Sequence, residues 1–350
     1  MHYPATFKTD LIDWFKENQR QMPWRETTDP YKIWVSEVML QQTQVDTVRD
    51  YYMRFIERFP TVKALAEAPE NEVLKYWEGL GYYSRARNFH TAAKEVVSNY
   101  KGTVPIDPII FKTLKGVGPY TQAAVMSIAF NHPLPTVDGN VFRVWSRLNN
   151  DDTDIALQST RKRYEHELLP YVETESGTFN QAMMELGALI CTPKTPLCIF
   201  CPVQTHCESY ELGTVLELPV KKKKIKKKVL HYNVYLIENE NGAYLIEQRN
   251  EKLLNNMWQF PMVLEDENAT SLKSKFGPSL KISETKSGVI KHQFTHMTWV
   301  LNVYKASIAS HDVNIQDTPT QWLGPNERHH YTFPVSMSKI YETFCKRNAQ

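Results

Sequence analysis

The sequence lacks the features that would take it out of the ordinary globular range. No uninterrupted apolar run approaches the ~18 residues of a membrane span. The opening Met1-His2-Tyr3-Pro4-Ala5-Thr6 has no charged-then-apolar leader pattern, so a cytoplasmic protein is expected, nucleoid-associated if the source is bacterial. With 42% hydrophobic and 23% charged residues in 350, a disordered, collagen-like or coiled-coil chain is excluded. Charge of one sign is missing too: 41 Lys and Arg face 39 Asp and Glu, a net +2. Bulk charge therefore does not suggest a nucleic-acid partner, and any such reading must rest on local placement and motifs. No internal repeat is found.

What charge there is sits in one place. Residues 1–215 are net −4, residues 216–230 net +6 and residues 231–350 neutral. The basic excess is the run Lys221 to Lys228, KKKKIKKK. Crowded lysines repel one another, so 216–230 reads as a linker that can also touch a polyanion. It divides the chain into modules at 1–215 and 231–350. Before it the pattern is helical: Leu11, Trp14 and Phe15 share a face, as do Val48, Tyr51, Tyr52, Phe55 and Phe59. Ala123 to Phe130 reads as a buried helix started by Pro119. After it, Asn233 to Ile237 and Trp299 to Tyr304 read as buried strands, 231–249 as a hairpin, and Ser336 to Lys346 as a closing helix. The fold class expected is multidomain: an all-α module followed by a smaller α+β module.

Four of the five cysteines cluster as Cys191-x6-Cys198-x2-Cys201-x5-Cys207. Thiols this dense in a reducing compartment point to metal. Four thiolates suit structural zinc and an iron–sulfur cluster equally, and spacing does not separate them. Cys345 is distant and reads as an unligated thiol.

Leu114-Lys115-Gly116-Val117-Gly118-Pro119-Tyr120-Thr121 combines two glycines, which free the backbone, with a proline that starts a helix. Amides at such a helix start grip a phosphate without net positive charge. Further on, Thr136-Val137-Asp138-Gly139-Asn140-Val141 brings a carboxylate to a helix entrance, where an N-cap is its plainest use.

Hairpin, aspartate and cysteine cluster in this order resemble the helix–hairpin–helix superfamily of DNA glycosylases, of the endonuclease III type with an iron–sulfur cluster. The finer resemblance is to adenine DNA glycosylases of the MutY type. It is carried by Met22-Pro23-Trp24-Arg25, by Trp34 to Gln44 (WVSEVMLQQTQ), by Gly79-Leu80-Gly81-Tyr82-Tyr83, by the hairpin and the Val-Asp-Gly-Asn run, by Phe179 to Gly187 (FNQAMMELG), and by the cysteines. It spans 1–215 closely and 231–345 more loosely.

The resemblance implies one 4Fe–4S cluster on Cys191, Cys198, Cys201 and Cys207. It implies Glu37 as the proton donor to adenine and Asp138 as the anion facing the sugar. Tyr120 and Asn140 would orient these two, with Trp24, Arg25 and Gln181 lining the base pocket. Gln42 and Tyr82 would act as wedges beside the opposing base, with Gly116 and Gly118 on the DNA backbone. Glu37 lies among Val35, Val38, Met39 and Leu40, where burial raises a carboxyl pKa. Asp138 at a helix start is expected to stay ionised. Relatives that also cut the backbone carry a lysine where this chain has Tyr120, and a phenol forms no imine with the sugar. The expected partner is duplex DNA holding adenine opposite 8-oxoguanine or guanine, and a monomer is expected.

The second module would resemble a MutT-like, Nudix-fold domain that recognises 8-oxoguanine. The paired glutamates of a Nudix metal box are missing after Glu247-Gln248-Arg249-Asn250-Glu251, so a reader is expected rather than a hydrolase. Phe294-Thr295-His296 is the candidate reading element, with threonine where many relatives have serine. The competing readings are a bifunctional glycosylase/lyase on oxidised pyrimidines, disfavoured by Tyr120, a catalytically idle mismatch binder, and a nucleotide pyrophosphatase.

Overall fold

The computed structural model describes residues 3–222, 227–266, 270–310, 313 and 319–346. They form two compact units, Met1–Ala68 with Ser84–Lys223, and Pro69–Tyr83 with Lys224–Gln350. The middle of the lysine run, residues 223–226, lies outside the described residues. In chain order the helices are α1 (Ala5–Asn18), α2 (Pro30–Leu40), α3 (Val45–Arg58), α4 (Val62–Glu67), α5 (Glu70–Tyr76), α6 (Ser84–Tyr100), α7 (Pro108–Thr113), α8 (Pro119–Phe130), α9 (Gly139–Leu148), α10 (Gln158–Leu168), α11 (Ser176–Leu189) and α12 (Glu208–Leu212). Beyond them come β1 (Lys228–Glu238), β2 (Tyr244–Gln248), β3 (Trp258–Gln259), β4 (Met262–Leu264), α13 (Thr270–Phe276), β5 (Lys281–Gln293), β6 (Met297–Ser307), β7 (Thr320–Leu323) and α14 (Val335–Ile340). No helix among the described residues is long and apolar enough to cross a membrane.

In the first unit α2 is buried nearly all round. Ile33, Trp34, Val35, Val38 and Met39 are each at most 6% exposed, which is what a helix with no polar face does in a soluble fold. Asp29 caps its start by accepting from the Tyr31 amide at 2.9 Å, with Pro30 at the first helical position. A second core joins α1, α9 and α11 through Leu11, Phe15, Val144, Trp145, Phe179, Met183 and Leu186, with Cys191, Cys201 and Cys207 packed on its edge. Residues 216–222, read as the start of a linker, are held to this unit. The Leu218 carbonyl accepts from Arg147 at 3.0 Å and the Val220 carbonyl from the Ile155 amide at 3.0 Å.

The second unit is built on a sheet of order β3-β2-β1-β6-β5, with β4 added on β1 and β7 on β2. β1 and β6 run parallel from Lys228↔Met297 to Glu238↔Ser307, and every other pair is antiparallel. Alternation along β1 sends Val234 and Leu236 to one face, with Leu301, Phe333 and Ile340, and Tyr235 and Ile237 to the other, with Leu272 and Phe276. The expected hairpin is present, but β1 and β2 pair only at Glu238↔Tyr244 before β2 turns to β3 and β7. The closing helix covers the expected stretch in two forms, α14 to Ile340 and a π-helical turn over Tyr341–Cys345.

Candidate active site

Glu37 projects from the third turn of α2 and is 5% exposed. Its Oε2 accepts from the Tyr120 hydroxyl at 2.7 Å. Burial pushes its carboxyl up to about 7; the Tyr120 hydrogen bond and Arg25 pull it down, and the charge of Asp138 pushes it up. Tyr120 is held by α8, which begins at Pro119 behind the hairpin turn. Its own pKa is raised by burial and by both carboxylates, so it stays a donor.

Asp138 is the N-cap of α9, as the sequence pattern implied. Its Oδ1 accepts from the Val141 amide at 2.7 Å and its Oδ2 from Asn140 Nδ2 at 2.9 Å. The sequence expectation is that the helix start keeps it ionised, and its surroundings pull in both directions. Burial raises its pKa, opposed by these hydrogen bonds and by Arg143. It takes more donors than Glu37, from the Val141 and Asn140 amides and from the Asn140 side chain, and each of them favours its charged form. Asn140 is fixed in turn by Arg143, whose Nη2 donates to Asn140 Oδ1 at 2.9 Å and to the Gly187 carbonyl at 2.7 Å, while its Nε reaches the Cys191 carbonyl at 2.7 Å. Gly187 is required here, because a Cβ would sit 2.6 Å from that of Asn140.

Trp24 is buried, edge-on to Tyr52 with ring centroids 5.4 Å apart. Arg25 is not a free hydrogen-bonding arm. With Arg20 it grips Glu185, at 3.1 and 3.0 Å from Arg25 and 2.9 and 2.8 Å from Arg20. Burial would raise Glu185, but these donors win and hold it at about 2. Gln181 folds back on its own helix, donating to the Gly177 carbonyl at 3.1 Å.

Gln42 and Tyr82, the expected wedges, are both exposed and both hold left-handed backbone, at φ 59° and 48°. Non-glycine residues persist there only when their surroundings impose it, and such strain gathers at functional positions. In the hairpin only Gly116 (φ 79°) needs glycine, since a Cβ would meet that of Asn88 at 2.7 Å; Gly118 has ordinary backbone and open space beside it. In the second unit the Tyr82 hydroxyl lies 2.5 Å from Thr295 Oγ1. Thr295 and His296 are exposed at the turn from β5 to β6, and the His296 carbonyl accepts from the Lys228 amide.

The four cysteines line one cavity together with Val144, Leu148, Leu186 and Val203. Arg147, 1% exposed, donates to Cys191 Sγ at 3.3 Å and to the Thr192 carbonyl at 2.8 Å. Burial pushes the Cys201 and Cys207 thiols up to about 12 and about 11. Among the described residues no three His, Cys, Asp or Glu side chains close on a single-ion site. A soft, all-thiol donor set around shared space, with a cation to offset thiolate charge, fits an iron–sulfur cluster and a four-thiolate zinc alike.

Sequence reasoning did not assign Glu185, Arg143 or Arg147. Arg143 was within reach, three residues past Asn140 on the same helix. Glu185 was not, because its partners lie 160 and 165 residues away in sequence.

The hairpin leading into α8, Glu37 on the buried α2 and Asp138 capping α9 all belong to the helical unit. Residues 35–170 match the HhH-GPD superfamily of base excision DNA repair proteins, and residues 233–343 match the NUDIX domain. A thermostable thymine-DNA glycosylase of known structure is 30% identical, with a TM-score of 0.54, over 59% of this chain and 95% of its own. The adenine DNA glycosylase of Buchnera aphidicola is 30% identical over 98% of this chain and 97% of its own length, and that of Mus musculus 30% identical over 97% and 78%. The chain belongs to the adenine DNA glycosylase family.

Proposed function

We propose that this protein removes adenine from duplex DNA where it lies opposite 8-oxoguanine or guanine, hydrolysing the N-glycosidic bond and leaving an abasic site. The observation that carries this is the Glu37–Tyr120 hydrogen bond on a buried carboxyl pushed up to about 7, paired with Asp138 at the start of α9. The target nucleotide must leave the stack, at a cost of a few kcal/mol. Glu37, protonated, gives its proton to adenine N7, so the departing base takes the electron pair of the C1′–N9 bond as a neutral molecule. Asp138, ionised, faces the positive charge that develops on the sugar, and Asn140 and Arg143 hold it there. Water then adds its oxygen to C1′ and its spare proton restores Glu37. Opposed protonation states in two carboxyl groups are the general solution for glycosidic cleavage. Tyr120 offers a hydroxyl already donating to Glu37, not an amine, which supports base removal without a lyase step.

The exposed Tyr82–Thr295 pair supports a reader role for the second unit, with His296 beside it. Cys191, Cys198, Cys201 and Cys207 would hold one 4Fe–4S cluster, which when bound organises the loop that carries them rather than breaking bonds. Single-turnover excision by the full chain on duplexes with adenine opposite 8-oxoguanine, adenine opposite guanine, and oxidised pyrimidines tests the reading. Fast release of adenine, fastest opposite 8-oxoguanine, is expected. Release of oxidised pyrimidines with strand cleavage instead would overturn it. Iron and sulfide analysis, with a visible absorbance band, separates a cluster from zinc.

A further inference from the structure

The segment Pro69–Tyr83 continues the helical half of the sequence, yet it clusters with the sheet unit. It is fastened there at successive points. Glu70 Oε1 accepts from Asn256 Nδ2 at 3.0 Å and Lys75 Nζ donates to the Tyr331 carbonyl at 3.1 Å. Glu78 has the most partners of these points. Its Oε1 accepts from Arg328 Nη2 and from the Phe333 amide at 3.3 Å, and its Oε2 from Lys75 at 2.6 Å. Arg328 is itself pre-set, lying 4.2 Å from the Phe333 ring centre and donating to the Tyr331 carbonyl and Ser338 Oγ, each at 2.8 Å. The Glu78 and Arg328 side chains are 17% and 20% exposed, so the pair is shielded enough that losing one partner strands the other.

Four residues further on stands Tyr82. Between it and Glu78 lie Gly79 and Gly81, at φ 107° and 71°, and Gly81 has open space beside it. Glycine at positive φ lets the chain turn sharply here, and links within the segment and at Glu78 then set its direction. The stretch is tied across by Trp77 Nε1 donating to the Gly81 carbonyl at 3.1 Å and the Gly79 amide donating to the Tyr83 hydroxyl at 3.3 Å, it begins at Glu78, and the Tyr82 hydroxyl meets Thr295. Tyr82 holds left-handed backbone at 45% exposure, a conformation that its surroundings must sustain.

We propose that the Glu78–Arg328 ion pair is the positioning device that sets Tyr82 against Thr295 and so tunes the preference for 8-oxoguanine over guanine opposite the target adenine. The inference rests on the reader role assigned above to Thr295. Neither Glu78 nor Arg328 touches the reacting atoms in this scheme; they act through Tyr82.

The test is single-turnover excision by full-length Glu78→Gln and Arg328→Lys, with adenine opposite 8-oxoguanine and opposite guanine. Glu78→Gln should lower the ratio of the two rates about tenfold, and Arg328→Lys, which keeps the charge, should lower it less. In a Tyr82→Phe background Glu78→Gln should lower the ratio no further, because the route is already cut. Equal loss on both duplexes, or a fall in melting temperature with the ratio intact, overturns the proposal and leaves the pair a structural brace. If Glu78→Gln does not fold, Arg328→Lys alone gives the ratio. A wild-type protein with no preference between the duplexes overturns the reader role and this inference with it; a wild-type preference kept by both variants overturns this inference alone.

Discussion

Two buried glutamates in the helical unit have opposite fates. Glu37, 5% exposed, is pushed up to about 7, while Glu185, 2% exposed, is held at about 2. Burial penalises the charged form of both, so burial does not distinguish them. Partners do: Glu37 receives one neutral hydroxyl, whereas Glu185 receives two guanidinium groups. A carboxyl left under-compensated is a proton donor near neutral pH, and a compensated one is a brace. The linkage signs differ accordingly. The folded chain keeps a proton on Glu37 that the unfolded chain releases above 4.5, so this group destabilises the fold progressively from pH 4.5 to about 7. Glu185 stabilises the fold above 4.5, and that stability is lost as pH falls toward about 2.

The contrast can be broken by substitution. Glu37→Gln and Asp138→Asn should each slow single-turnover excision by at least ~100-fold with DNA binding retained; near-normal rates in both would dissolve the pairing. Glu185→Gln should instead act on the fold, lowering stability by about 3 kcal/mol in denaturant titrations, because Arg20 and Arg25 lose their shared anion. Glu37→Gln should have the opposite effect, stabilising the protein by about 2 kcal/mol at pH 8 and by much less at pH 4.5. Equal stability changes at the two pH values would show that Glu37 is not protonated in the native state. The smallest effect belongs to Tyr120→Phe. Removing the one donor that lowers Glu37 should move the alkaline limb of the excision profile up by about one pH unit, and a limb that stays in place would assign it to another group.

Much of this was legible beforehand because the signals are local. Asp138 entering a helix, Pro119 starting one, and Glu37 amid valines and methionine each depend on residues within a turn or two, and each stands in the structure as read. The cysteine spacing likewise marks a shared cavity. The Arg20–Glu185–Arg25 brace joins residues 160 or more positions apart; Glu185 too sits among apolar neighbours, Met183, Met184 and Leu186, but that pattern does not name the two arginines that hold it. For the same reason Arg25, read as a pocket residue, could not be seen to spend its guanidinium on Glu185.

The sequence by itself determined where helices start, which stretches are buried and where the cysteines gather, since turn chemistry and hydrophobic periodicity are properties of short stretches of chain. Tertiary structure alone decided the protonation states and the fastening of Tyr82. A pKa is set by the full surroundings of a group, and a left-handed tyrosine by contacts with strands and turns more than 200 residues away in sequence.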